Sequence, residues 1–108
     1  MTDRLAAVLV AAGLAASILG SGTAMAQVEA NAGRYAAANC ANCHGTNGVA
    51  KGAMPSLAGQ KKEYIAEQMR AFRDGKRPAT LMHQIAKGYS DAQVDAMAAY
   101  FASQPAPR

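Results

Sequence analysis

The sequence predicts an all-α domain of about four short helices. Two apolar stripes at helical spacing, paired start and stop signals, and the lack of any convincing strand alternation carry that expectation. The first helix is expected over residues 29–41, a stretch rich in alanine. Gly45, Gly48, Gly52, Pro55 and Gly59 make residues 45–59 a loop. A second helix is expected over residues 61–74, where Ile65, Met69 and Phe72 recur at helical spacing and Gly75 supplies the stop. Gly75-Lys76-Arg77-Pro78 reads as a turn. Residues 81–87 are expected to form a short helix ending at Gly88. Ser90-Asp91-Ala92-Gln93 is a capping-box start. It opens a last helix reaching about Ser103, whose stripe is Val94, Met97, Ala98 and Phe101. Pro105 and Pro107 end the order. The first and last helices are expected to cross closely at Gly33, where a missing side chain lets backbones approach.

Residues 1–26 read as a cleaved secretory signal peptide and residues 27–108 as one small domain. Arg4 gives a positive start, residues 5–19 are an almost unbroken apolar run, and Ala24-Met25-Ala26 is an A-x-A cleavage site. The run is short for a membrane span, which needs roughly 20 residues. An uncleaved N-terminal anchor is the competing reading. Export implies a periplasmic protein with no stable membrane insertion after cleavage. The formal net charge is +4, and the hydrophobic fraction of 51% is raised by the leader and by alanine. A moderately basic small protein suits an acidic partner surface or none in particular. Nucleic acid is not favoured, because the basic residues are not interleaved with aromatics.

Cys40-Ala41-Asn42-Cys43-His44 is a C-x-x-C-H pentapeptide that uses both cysteines of the chain. It reads as a c-type haem attachment site. Each thiol can add across one vinyl group of the same porphyrin, and the adjacent histidine is then placed to ligate the iron. A thioredoxin-like redox pair also uses C-x-x-C, but in a strand-to-helix context that is missing here. A structural zinc site needs four ligands, and beyond this motif only His83 remains. Short helices around a Gly-rich loop, with this motif at the end of the first helix, describe a class I cytochrome c fold. One covalent haem c would give so small a domain a large apolar body to pack against.

The face of the iron opposite His44 has several candidate ligands. Met69 and Met97 lie on the apolar stripes and read as core. Met54 follows His44 too closely to cross to the other face. Met82, in irregular chain between two helices, has the length to wrap around the ring and is the expected ligand. Its neighbour His83 is the alternative, which would lower the potential; otherwise His83 is a solvated surface side chain.

The mature chain resembles known families over nearly its whole length. Cys40-Ala-Asn-Cys-His-Gly-Thr-Asn-Gly48 is similar to the haem motif of small class I c-type cytochromes. Met54-Pro-Ser-Leu-Ala-Gly-Gln60 is similar to a segment of cytochrome c4-type domains. The stretch from Phe72-Arg-Asp-Gly-Lys-Arg-Pro-Ala-Thr-Leu-Met82 to Ile85-Ala-Lys-Gly-Tyr-Ser-Asp91 resembles the cytochrome subunit of flavocytochrome c sulfide dehydrogenase more closely. The resemblance implies thioether bonds at Cys40 and Cys43, His44 as proximal ligand and Met82 as distal ligand. It also implies that the Pro55 carbonyl accepts a hydrogen bond from His44 Nδ1, which orients the ring. Only one C-x-x-C-H is present, so the match is to single-haem forms.

These readings make the chain a single-electron carrier with no bond chemistry of its own. The specific expectation is a cytochrome subunit that takes electrons from a sulfide-oxidising flavoprotein subunit. The alternative is a free-standing cytochrome shuttling between respiratory or photosynthetic complexes. A haem sensor or peroxidase with an open iron site is a third class. Lys51, Lys61, Lys62, Lys76, Arg77 and Lys87 could rim the haem edge and steer docking, or simply be solvated.

Overall fold

The computed structural model describes residues 21–108, so the apolar run at 5–19 lies outside the described residues. Among the described residues every regular element is helical. In chain order these are α1 (Ser21–Ala37), a 3-10 turn (Ala38–Cys40), α2 (Ala41–His44), a second 3-10 turn (Thr46–Gly48), α3 (Lys62–Arg73), α4 (Met82–Ala86) and α5 (Asp91–Ala102). Helix α1 thus begins well before residue 29 and passes through the expected cleavage point after Ala26. Its alanine-rich composition favours continuation. At its other end the helical conformation does not stop at residue 41. Ala37, Cys40 and Ala41 all keep right-handed helical angles, so the winding tightens through Cys40 and loosens again to His44.

Residues 22–32 of α1 are exposed, and Gly33 is the first buried position. There α1 meets α5, the most extensive helix pair of the fold. A Cβ at Gly33 would lie 2.5 Å from the carbonyl oxygen of Ala96 and 3.2 Å from Tyr100 Cβ. The crossing expected at Gly33 is therefore present, and glycine is required by the close approach of two backbones.

Helix α3 packs on both α4 and α5. It ends in a Schellman motif, with Lys76 N–H bonded to Ala71 O at 2.9 Å and Gly75 N–H to Phe72 O at 3.3 Å. Gly75, at φ +73°, supplies the left-handed residue this motif needs. Helix α5 opens with the expected capping box. Ser90 Oγ accepts from Gln93 N–H at 3.2 Å and Gln93 Oε1 accepts from Ser90 N–H at 2.9 Å. The core is Ile65, Ala66 and Met69 of α3, Ala86 of α4, Val94, Met97, Ala98 and Phe101 of α5, and Ala37 of α1. Met69 and Met97 are core residues, as their stripes indicate.

Four charged side chains join α3 to α5. Arg70 Nη2 lies 2.7 Å from Asp95 Oδ1, and Arg73 Nη1 lies 2.8 Å from Asp91 Oδ1. The hydrogen bond from Arg73 holds the Asp91 carboxyl below its ordinary range, with the Arg73 and Arg70 charges adding to it. The group is largely exposed, so its contribution is small. Its sign is defined: a depressed folded-state value stabilises above the unfolded value and is lost as pH falls through the folded one. Asp91→Asn should therefore lower the thermal midpoint slightly at neutral pH. The gap to wild type should close as acidification passes below about 4. Thermal scans across pH check this.

Candidate haem site

The winding of the chain from α1 into α2 sets the positions of the motif. Cys40 is half-buried at the edge of the core, whereas Cys43 is exposed. Neither forms a disulfide. Burial pushes the Cys40 thiol up, with a backbone hydrogen bond partly opposing it. His44 closes α2 and is buried to 8% exposure.

Gly45 turns the chain away at φ +81° and ψ 167°. A Cβ here would overlap the carbonyl of Val49, which only glycine avoids. The following loop folds back on itself: Gly48 O accepts from Leu57 N–H at 2.8 Å and from Ala58 N–H at 3.1 Å. This closure brings Pro55 beside His44. His44 Nδ1 donates to Pro55 O at 2.7 Å. A carbonyl can only accept, so the proton is on Nδ1 and the lone pair on Nε2 is free for a metal.

Met82 is the first residue of α4, inside the short helix expected over 81–87 rather than in irregular chain, and it packs half-buried against the core. Met54 is 43% exposed on the loop, while Met69 and Met97 are committed to the interior. His83 is not solvated: its Nδ1 is buried without a hydrogen-bond partner. The five lysines named above are exposed. Arg77 is engaged locally, its guanidinium 4.6 Å from the centroid of the Phe72 ring and donating to Gln68 Oε1.

These features fit a haem. Two cysteines outside any disulfide stand just ahead of a histidine whose Nε2 lone pair is available to a metal. Apolar side chains stand exposed on the loop after His44 (Val49, Met54) and around the start of α4 (Leu81, Ile85). The orphaned Nδ1 of His83 is a buried polar atom suited to a polar group brought by the cofactor. Zinc does not fit, since among the described residues no three His, Cys, Asp or Glu side chains converge. The thioredoxin-like reading fails because the described residues contain no strand. Sequence reasoning missed two features of the site's surroundings: the α3–α5 charge network and a hydrogen bond from Tyr100 Oη to Asn47 Oδ1. Tyr100 lies beside the α5 stripe, and its position next to Phe101 was the only signal available.

A helical domain with C-x-x-C-H at the end of its first helix and a histidine oriented by a loop carbonyl defines a c-type cytochrome. The profile of the family described as "Cytochrome C oxidase, cbb3-type, subunit III" matches residues 26–101, and the chain belongs to that family. It is 36% identical over 78 residues to the cytochrome subunit of sulfide dehydrogenase from Chlorobaculum tepidum, covering 72% of this chain and 71% of that protein. It is 47% identical over 64 residues to cytochrome c-552 of Acidithiobacillus ferridurans, covering 59% of this chain and 28% of that protein. The cytochrome c4 structure from Acidithiobacillus ferrooxidans superposes with a TM-score of 0.65 at 39% identity, covering 69% of this chain and 49% of that one. The chain therefore spans about a quarter to a half of the length of the latter two proteins. Its cofactor is covalent haem c and its class of function is electron transfer.

Proposed function

We propose that this chain is an exported monohaem cytochrome that accepts electrons from a sulfide-oxidising flavoprotein subunit. The observation that carries the reading is the similarity to the sulfide dehydrogenase subunit over nearly three quarters of both chains. Cys40 and Cys43 hold the porphyrin by thioether bonds. His44 Nε2 and the Met82 sulfur are the axial ligands, and Pro55 O fixes the histidine ring. The bound haem supplies a reversible one-electron couple, and a thioether ligand raises its potential. The polypeptide presents His44 at the end of α2 and Met82 at the start of α4.

Export is supported by the A-x-A signal at Ala24-Met25-Ala26. Of the described residues, cleavage there would remove 21–26, exposed from 22 onward, and keep the part of α1 that packs on α5. Among the described residues no helix is long and apolar enough to cross a membrane.

The turn between α3 and α4 carries Asp74 to Thr80 and leads through Leu81 into Met82. Leu81 is 64% exposed and Ile85 43%. Apolar side chains at this edge favour a lasting interface over a transient one. Purification of the native protein from its host tests the reading. Co-elution with a flavin-containing chain through high salt is the expected result. A lone monomer with no sulfide-dependent haem reduction in any fraction contradicts it. Binding to a partner that weakens steeply with salt would point instead to a shuttle docking through its lysines.

A further inference from the structure

The loop that carries Pro55 to His44 meets α5 at the Phe101 ring, at a hydrogen bond from Gly59 N–H to Phe101 O of 2.9 Å, and at one side-chain hydrogen bond between Asn47 and Tyr100. Asn47 sits in the left-handed region at φ 53° and ψ 23°, an uncommon conformation for a residue other than glycine. Tyr100 Oη donates to its Oδ1 across the fold. The Tyr100 ring is itself held. It stands edge-on to Phe101 at 5.4 Å and 65°, and its Cβ lies at the Gly33 crossing. Phe101 is buried, and its ring fills the space that a Cβ on Gly48 would take, at 2.7 Å. Gly48 O in turn clamps the far arm of the loop through Leu57 and Ala58. Asn47 and Tyr100 both line a hollow of about 150 Å³ together with Arg34, Thr46 and Phe101.

We propose that the Asn47–Tyr100 hydrogen bond is a positioning contact for His44. It anchors the segment from Gly45 to Gly48 on α5, and through the Gly48 clamp it keeps Pro55 O aligned with His44 Nδ1. A carbonyl on Nδ1–H makes the imidazole a stronger donor at Nε2. That donation favours ferric over ferrous iron. Tyr100 thereby acts on the redox equilibrium through the loop without touching the haem. The inference rests on His44 being the proximal ligand.

The test uses the haem-loaded protein. Tyr100→Phe keeps the ring and its packing but removes the donor. Asn47→Gly removes the acceptor and accepts the backbone angle. Each should shift the oxidised-to-reduced ratio at fixed solution potential toward reduced, by about threefold. Each should also speed exchange of the His44 Nδ1 proton in NMR spectra. The double variant should match either single one, because both remove the same interaction. Asn47→Asp keeps an acceptor and should stay near wild type in both readouts. A lowered thermal midpoint with unchanged potential and unchanged proton exchange overturns the proposal, leaving Tyr100 a purely structural residue. Absence of a paramagnetically shifted His44 ring in the wild-type protein overturns the ligand reading, and this inference with it. A shifted ring that is unchanged in Tyr100→Phe, Asn47→Gly and the double variant overturns the inference alone.

Discussion

A chain carrying Cys40→Ala and Cys43→Ala together should run colourless under haem stain on denaturing electrophoresis, and it should be largely unfolded in solution. The first result follows from the absence of any other cysteine to form a thioether. The second follows from the core. Half of its buried apolar residues are alanines, and the large side chains buried most completely are Phe101, Met97 and Val94. Burying a methyl group gains little, whereas ordering each residue costs roughly 1–2 kcal/mol of backbone entropy. A domain of this size has no surplus to absorb the difference. Far-ultraviolet circular dichroism of the variant checks the point. A native helical spectrum with a cooperative melt would mean that the helices sustain themselves without the haem.

Gly33→Val should be the most damaging single substitution within α1. Its Cβ alone would stand 2.5 Å from Ala96 O, a backbone atom that moves only if α1 and α5 separate. Overpacking of this kind costs about 1–3 kcal/mol in adaptable cores. Here the obstruction is main chain at the largest helix contact, so about 3 kcal/mol or more is expected. Gly33→Ala should show most of the effect. Gly88→Ala is the control: its Cβ would meet nothing closer than Ile85 O at 3.4 Å. That change should be neutral or slightly stabilising. Thermal unfolding of the three haem-loaded variants gives the comparison, and a Gly33→Ala midpoint equal to wild type would show that the crossing is looser than described.

Much of this was legible in the sequence because the signals are local. The stripe of α5, its capping box and the Gly75 stop each depend on residues within a few positions of one another, and each appears where the pattern puts it. C-x-x-C-H is likewise contiguous. Gly33 was readable because a glycine inside a helix has a cost that a crossing explains. The start of α1 was not readable, since alanine-rich chain carries no stop and the capping pattern there is weak. Met82 falls in the short helix expected over 81–87 but also reads as irregular chain, because Leu81-Met82-His83 offers neither cap nor stripe; the helix packs on α3, with Ala86 fully buried in the core. Long-range contacts between polar side chains left no trace. The Arg73–Asp91 pair and the Tyr100–Asn47 bond join residues far apart in the chain, and no spacing rule links them. The Pro55 carbonyl was reached only through family resemblance, for the same reason.

In the proposed reading His44 and Met82 would together hold the haem iron, leaving no face of it open to a substrate and suiting the protein to electron transfer. Near-infrared absorption of the oxidised, haem-loaded protein tests it most directly. The wild-type protein should show the sulfur-to-iron charge-transfer band. Met82→Ala should abolish that band and lower the reduction potential, and Met54→Ala, at an exposed loop position, should leave both unchanged. Persistence of the band in Met82→Ala, or its absence from wild type, would contradict the assignment.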